Sequence, residues 1–432
     1  MSTDKNKLIP ELRFPEFLDE GEWMEKKLGD IGDFIGGGTP DTTVEEYWSG
    51  SIQWYTPTEV KDGILKDSSR KITGLGLKNS STKLLPEGTI LITTRATIGD
   101  IAIAKEECCT NQGFQSLVVF NSEINSFWFY WILQHKKELI RRSSGSTFKE
   151  IGKNEIIHIP TLSPNKSEQQ KIASCLSSLD EVIAVHSQKL ATLKDHKKGL
   201  MQNLFPTNSI TNDELEITNV PNYRFPEFME DEGWVVKDLG VVLGFIMGNA
   251  FKSNDFVENG VQLIRMGNLY QGVLQLNRIP VFLPHNFVKE YQQFLVKPRD
   301  LLMSMTGTLG KRDYGFVLQI PENSPDLLLN QRVIKLVPKE GYIKEFVLQL
   351  FKNEPFLQKL YSIPGGTKQA NLSTKDLKAI KISFPKLIEQ QKIASCLSSL
   401  DDLITAQTEK IAQLKLHKKG LMQGLFPRSI TN

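Results

Sequence analysis

Two stretches in the first half of the chain carry residues whose spacing could serve catalysis. Phe34-Ile35-Gly36-Gly37-Gly38 fits the F-x-G-x-G loop with which many methyltransferases cradle S-adenosylmethionine. Pro40-Asp41 followed by Glu59-Val60-Lys61 fits the loose P-D…E-x-K pattern of nucleases, in which carboxylates and a lysine hold Mg²⁺ and position water. A third stretch, Gly307 to Arg312 (GTLGKR), has a lysine after glycine but lacks the P-loop spacing and its Ser/Thr. Neither of the first two patterns is repeated where the second half should repeat it. Phe245-Ile246-Met247-Gly248-Asn249 loses the glycines, Arg265-Met266-Gly267 stands near the place of the E-x-K, and no N-P-P-[YF] tetrapeptide occurs. Cys108-Cys109 lacks partners at metal-ligand spacing. Of the histidines, only His196 and His417 recur, and they lie in a charged helical stretch. Glycine turns, chance carboxylates and ordinary thiols account for these features, so no catalytic residue and no metal site is expected.

The repeat itself is the stronger signal. Arg13-Phe14-Pro15-Glu16-Phe17 returns as Arg224-Phe225-Pro226-Glu227-Phe228, Trp23 as Trp234, and Leu28-Gly29 as Leu239-Gly240, all at an offset of 211. Glu168–Pro206 returns as Glu389–Pro427 at an offset of 221, with 28 of 39 positions identical and EQQKIASCLSSLD unbroken. Between these, the two blocks differ greatly but keep punctuation: Thr97-Ile98-Gly99 and Thr308-Leu309-Gly310, Asn111-Gln112 and Asn330-Gln331, Thr147 and Thr367. Near-identical copies must do one mechanical job. Divergent copies on a shared scaffold suit the reading of different targets.

The near-identical block has helical periodicity. Ile172, Leu176, Leu179, Ile183, Leu190 and Leu193 fall on one face, as do Ile393, Leu397, Leu400, Ile404, Ile411 and Leu414 in the copy. His186 and Gln407 interrupt the two stripes at equivalent places and read as a polar layer that fixes register. Ser167 is the expected N-cap, with Gln170 completing a capping box. Each helix would be roughly 55 Å long at 1.5 Å per residue. An antiparallel pair about a pseudo-twofold axis is expected, since the chain ends, LFP-RSITN, resemble the linker start, LFP-TNSITN.

The divergent blocks read as β-rich. Strands are expected at 89–94, 116–120, 261–265 and 332–337, with helices at 126–141 and at 345–360, the latter kinked at Pro355. The polar stretch 207–222 reads as linker. The fold class is therefore α+β: two β-rich domains separated by two long antiparallel coiled-coil helices in a pseudo-twofold repeat. The domains are 1–163, helix 164–206, linker 207–222, 223–385, and helix plus tail 386–432.

Composition adds limits. The chain has 432 residues, with 52 basic against 50 acidic side chains, so any anion-binding face must be a local patch. No stretch approaches the ~20 apolar residues of a membrane span. Four cysteines without a C-x-x-C pair are too few for a disulfide framework, and a cytoplasmic location is expected.

These repeated elements resemble the specificity subunit of Type I restriction-modification systems. The resemblance is carried by R-F-P-E-F with W and L-G at the head of each unit. It continues through Gly38-Thr39-Pro40, Tyr47-Trp48, Trp54, Thr94 to Gly99, Asn111-Gln112-Gly113-Phe114, Gly145-Ser146-Thr147 and Ile159-Pro160. Most specific are the EQQKIASCLSSLD helices ending in KKGLMQ-x-LFP. The second unit departs, with Gly248-Asn249-Ala250-Phe251 in place of GGTP.

The resemblance implies a non-catalytic protein. Each divergent block would be a target recognition domain reading one half of a bipartite DNA sequence. The helices would set half-site spacing and dock two modification subunits. Those partners would methylate adenine from S-adenosylmethionine, and restriction subunits would use ATP and Mg²⁺ to translocate and cleave, this chain binding no cofactor itself. Half-sites one duplex turn apart need readers about 34 Å apart, which a helical spacer can supply. Side chains reaching base edges are expected among Thr39, Tyr55, Arg95, Lys149 and Lys153, and among Asn249, Lys252, Arg265, Asn268, Lys311, Arg312, Tyr314, Lys368 and Gln369. The competing expectations are a stand-alone nuclease or methyltransferase with two recognition domains, and a scaffold that binds proteins alone.

Overall fold

The computed structural model describes residues 8–60, 63–145, 149–206, 208–211, 214–217, 219–363 and 369–427. Lys61, Ser146, Thr147, Thr367 and Lys368, singled out above, lie outside the described residues. The chain divides into two compact units, one of Met1–Gln188 with Glu409–Asn432, the other Lys189–Thr408. Each unit thus combines a divergent block with the first half of its own long helix and the second half of the other.

In the first unit a five-stranded sheet runs in the order Gly32–Gly36, Gln115–Val119, Ile90–Ile92, Ile101–Ala104, Gly63–Leu65. Ile90-Leu91-Ile92 is buried on both faces, as an unbroken apolar run in a central strand should be. A smaller sheet places Trp48–Tyr55 between Arg70–Ile72 and Cys108–Thr110, the last pairing parallel with Gln53 opposite Cys108 and Tyr55 opposite Thr110. In the second unit two four-stranded sheets form. One contains Leu243–Met247, Val333–Pro338, Leu301–Ser304 and Val317–Gln319. The other contains the parallel pair Val261–Ile264 and Leu327–Leu329. That pair is the counterpart of the parallel pair in the first unit.

The long helices are Lys166–Asn203 and Leu387–Leu425. The first starts one residue before the expected cap: Asn165 rather than Ser167 is the N-cap, its Oδ1 accepting the Glu168 N–H at 2.9 Å. Within the first unit the helix halves run antiparallel. Ile172 and Leu176 share a core with Met422, Leu425 and Phe426, and further along the first helix Asp180 meets Lys418, back down the second. The second unit repeats this with Lys197 on Asp401. Adding the offset of 221 to Asp180 and Lys197 gives Asp401 and Lys418, so one ion pair is the copy of the other. The stripe from Ile172 to Leu193, including His186, is buried or half-buried throughout, as is the stripe from Ile393 to Leu414, including Gln407.

Three local expectations are corrected. The helix at 126–141 is two, Asn125–Gln134 and Lys136–Arg141, broken at His135. The helix at 345–360 is also two, Lys344–Leu350 and Glu354–Ser362. Pro355 sits in the first turn of the latter, where it lacks no needed N–H, so it starts a helix rather than kinking one. The 207–222 segment contains an antiparallel ribbon, Asn208–Thr211 with Glu214–Ile217; its Ile-Thr and Leu-Glu-Ile alternation is the strand signal that overall polarity masked.

Candidate nucleic-acid interface

The R-F-P-E-F and E-Q-Q-K motifs make one joint in each unit. Arg13 donates to both carboxylate oxygens of Glu168, and Trp23 Nε1 donates to the same carboxylate at 3.3 Å. Gln169 Oε1 accepts the Ile124 N–H, and Lys171 pairs with Glu16. In the second unit Arg224, Trp234, Gln390 and Lys392 do the same with Glu389, the Ile343 N–H and Glu227. Each divergent block is therefore fixed rigidly to a helix start.

Away from this joint, three loops and the end of a strand are laced together by backbone hydrogen bonds in both units. In the first unit Asn111 N–H donates to Tyr55 C=O at 3.1 Å, Thr94 N–H to Gly113 C=O at 2.8 Å, and Ile151 N–H to Thr94 C=O at 3.2 Å. In the second, Asn330 donates to Ile264 at 3.1 Å, Met305 to Arg332 at 3.0 Å, and Leu372 to Met305 at 2.9 Å. A fourth loop closes on the turn through Gly38 N–H to Thr110 C=O and Asn249 N–H to Leu329 C=O, at 2.8 and 2.9 Å. Gly37 and Gly248 stand at this closest approach. A Cβ on Gly37 would lie 2.0 Å from Asn111 C=O, and one on Gly248 2.2 Å from Asn330 C=O. The glycine turn of Phe34–Gly38 is thus explained by packing. Asp41 and Glu59 of the nuclease-like pattern are engaged locally, Asp41 by Thr43 and Glu59 by Thr56 and Ser69. Those hydrogen bonds hold both carboxyls below their usual range, for Asp41 through the Thr43 hydroxyl chiefly; for Glu59 burial, pushing the other way, is outweighed. Among the described residues no group of three or more His, Cys, Asp or Glu is placed to hold a metal ion.

The framework carries different side chains in each unit. In the first, Thr39 is exposed and donates to Gln112 Oε1 at 2.6 Å; Arg95 is exposed and paired with Glu150 at 2.8 Å; Lys149 is exposed beside it. Lys153 donates its ammonium to Phe34 C=O at 2.7 Å and braces a strand. In the second, Asn249 is half-buried in the laced turn, Lys252 and Lys311 are exposed, and Gln369 is exposed opposite Thr308. Arg312 is held by Glu354 at 2.7 Å and lies over the Tyr361 ring.

Three candidates are corrected. Tyr55 and Tyr314 are each 1% exposed. Tyr55 packs with Cys108 and Phe114, and burial pushes its phenol pKa up; Tyr314 packs edge-on to Tyr361. Asn268 is 2% exposed and spends its amide on Gln275 C=O and Arg278 C=O, so it shapes a loop rather than reaching out of one. Residues the sequence reading passed over are Gln112, Arg70, Arg278 and Arg332. Arg70 stacks over Trp48 with its guanidinium 3.6 Å from the ring centroid. Gln112 is visible in the sequence as repeat punctuation, which shows that the turn recurs and not what its side chain meets. Arg278 and Arg332 carried no local motif.

Among the described residues no helix is long and apolar enough to cross a membrane. The chain matches the family described as "Type I restriction modification DNA specificity domain" twice, over residues 20–195 and 231–416. It is 28% identical over 415 residues to the Type I restriction enzyme MjaIX specificity subunit of Methanocaldococcus jannaschii, covering 94% of this chain and 92% of that one. It is 27% identical over 423 residues to the MjaVIII specificity subunit of the same organism, covering 97% and 94%. In fold it is similar to the crystal structure of the Type I restriction-modification S subunit from M. genitalium, with TM-score 0.60, 15% identity and coverage of 97% and 99%. With both units matched by the family model, the chain belongs to the Type I restriction-modification DNA specificity family.

Proposed function

We propose that this chain gives a Type I restriction-modification complex its DNA sequence specificity, each unit reading one half of a bipartite target. The observation that carries this is one laced loop framework occurring once per unit and filled with different side chains at equivalent places: Gly38, Thr56 and Gly113 in the first, Asn249, Arg265 and Arg332 in the second. Shared geometry with divergent chemistry is what two readers of unlike sequences require. The rigid joint of each block to a helix start supports the long helices as the ruler between half-sites and as the seat of the modification subunits. The chain acts without catalysis of its own. Adenine methylation from S-adenosylmethionine, and ATP- and Mg²⁺-dependent translocation and cleavage, belong to modification and restriction partners. Replacing residues 22–163 by the block of another family member, followed by methylome sequencing with the modification partner, should change one half-site and leave the other. A change in both would sink the two-reader function. Incubation of the purified chain with duplex DNA and Mg²⁺ alone should give no cleavage.

A further inference from the structure

The second unit has six arginines: Arg224, Arg265, Arg278, Arg299, Arg312 and Arg332. Three are neutralised, Arg224 by Glu389, Arg299 by Glu322 and Glu345, and Arg312 by Glu354. Among the described residues the other three have no carboxylate partner, and all three line one cleft of about 360 Å³, with Met266, Gly267, Asn268, Ile279 and Asn330. Uncompensated like charges gathered in one cleft, in a chain of net charge +2, call for an anionic ligand.

The cleft lies on the laced framework. Arg265 follows the strand Val261–Ile264, and Arg332 closes the turn whose Asn330 N–H is held by Ile264 C=O. The same hydrogen bond, Asn111 to Tyr55, puts Thr56 and Gly113 at the equivalent places in the first unit. The frame is common to both units; the arginines are confined to the second.

The three arginines are held differently. Arg265 is half-buried; its Nη2 donates to Ile279 C=O at 2.5 Å, and its own N–H is capped by Asn268 Oδ1 at 2.9 Å. Arg278 lies over the Tyr270 ring at 4.8 Å, and Arg332 is exposed. Ile279 at the rim has φ of 48° and is 74% exposed, a costly conformation for a β-branched residue.

On the DNA-reading function proposed above, we propose that this cleft is where the second unit reads its half-site. Arg265, its guanidinium held by the Ile279 carbonyl and its own N–H by the Asn268 side chain, hydrogen-bonds a guanine edge and determines specificity. Arg278 and Arg332 hold the flanking phosphates. A guanidinium fork offers two parallel donors to guanine O6 and N7, the pairing that most sharply separates G·C from the other base pairs. Phosphate contacts position the duplex without selecting sequence.

The test uses the full chain with its modification subunits. The wild-type methylome defines the two half-sites, and block exchange assigns one of them to the second unit. Arg265→Ala and Arg265→Lys, the latter keeping charge and fold, should each relax one G·C position of that half-site by on the order of 10- to 100-fold while the other half-site stays unchanged. Arg278→Ala and Arg332→Ala should keep the motif, weaken binding to all duplexes alike, and each reduce the slope of log affinity against log salt by about 1. A two-part wild-type motif left untouched by both Arg265 variants overturns the cleft assignment alone. A wild-type methylome without a two-part motif overturns the DNA-reading function and this proposal with it.

Discussion

Arg13 and Glu168 stand 155 residues apart in sequence and meet through two hydrogen bonds, of 2.8 and 2.7 Å, with both side chains almost wholly buried. Arg224 and Glu389 repeat the geometry at 2.9 and 2.8 Å. Removing one partner strands a buried charge, which costs about 3–5 kcal/mol, whereas replacing both by apolar groups of similar volume is often near neutral. Arg13→Ala should therefore lower the urea midpoint clearly, and Arg13→Met with Glu168→Leu should recover much of the loss. Equal stability of Arg13→Ala and wild type would show that the joint does not hold the block to its helix.

Asp180 is held from two sides, by Lys418 and by the Tyr130 hydroxyl at 2.7 Å. Both ionic partners retain solvent contact, with side-chain exposures of 41% and 16%. The pair should contribute only about 0.5–1 kcal/mol. Lys418→Met should thus shift melting by a few degrees at most. Exchanging the charges, Asp180→Lys with Lys418→Asp, should come closer to wild type than either change alone; no such coupling in the double-mutant cycle would argue against the antiparallel register within this unit.

His135 gives the first unit an acid sensitivity. Its ring stacks on Trp131 at 4.1 Å and meets Phe426 edge-on. Burial pushes its pKa below the ordinary value, against smaller upward pulls from the Trp131 carbonyl and Glu138. The unfolded chain therefore takes up this proton first. No penalty exists above the ordinary histidine pKa of about 6.5. As pH falls below it stability is lost, by up to about 1.4 kcal/mol per pH unit, until the folded pKa is reached. His135→Gln should flatten the stability profile between about pH 7 and 5. An unchanged slope would remove His135 as the cause.

The cysteines offer a reporter. Cys108 and Cys109 are 0% exposed, and burial pushes their thiols up to about 12 and about 11. At pH 8 both stay protonated and shielded, so the nucleophilic thiolate is nearly absent. Pulsed alkylation of the native chain should label Cys175 and Cys396 before either of the buried pair, and labelling of Cys108 and Cys109 should track urea unfolding. Rapid labelling of the pair in buffer would contradict the burial of the strand Cys108–Thr110.

What was legible in the sequence was what repeats. The R-F-P-E-F and E-Q-Q-K motifs were readable because both partners of each contact recur, and the helix stripe because a 3.6-residue period survives polar interruptions such as His186. The readers were not. Tyr55 lies in Gln53-Trp54-Tyr55, buried side by side, where one face turns to each core; nothing local distinguishes such a tyrosine from a surface one. Asn268 has the type of a base reader and the role of a loop brace. Arg278 and Arg332 became candidates only when the chain brought them to Arg265, across sequence distances with no period or motif.

The framework can be tested through its glycines. At Gly37 and Gly248 the nearest atoms to an added Cβ are backbone oxygens of the Asn-Gln turn, at 2.0 and 2.2 Å, so the turn itself must move. Overpacking of this kind costs about 1–3 kcal/mol, and here it displaces the loops that carry Gln112 or Arg332. Gly74→Ala, where nothing lies within 4 Å, serves as the matched control. With the modification partner present, Gly37→Ala should erode methylation specificity at one half-site and Gly248→Ala at the other, while Gly74→Ala changes neither. Both half-sites failing together in Gly37→Ala would mean that a single framework, rather than one per unit, governs recognition.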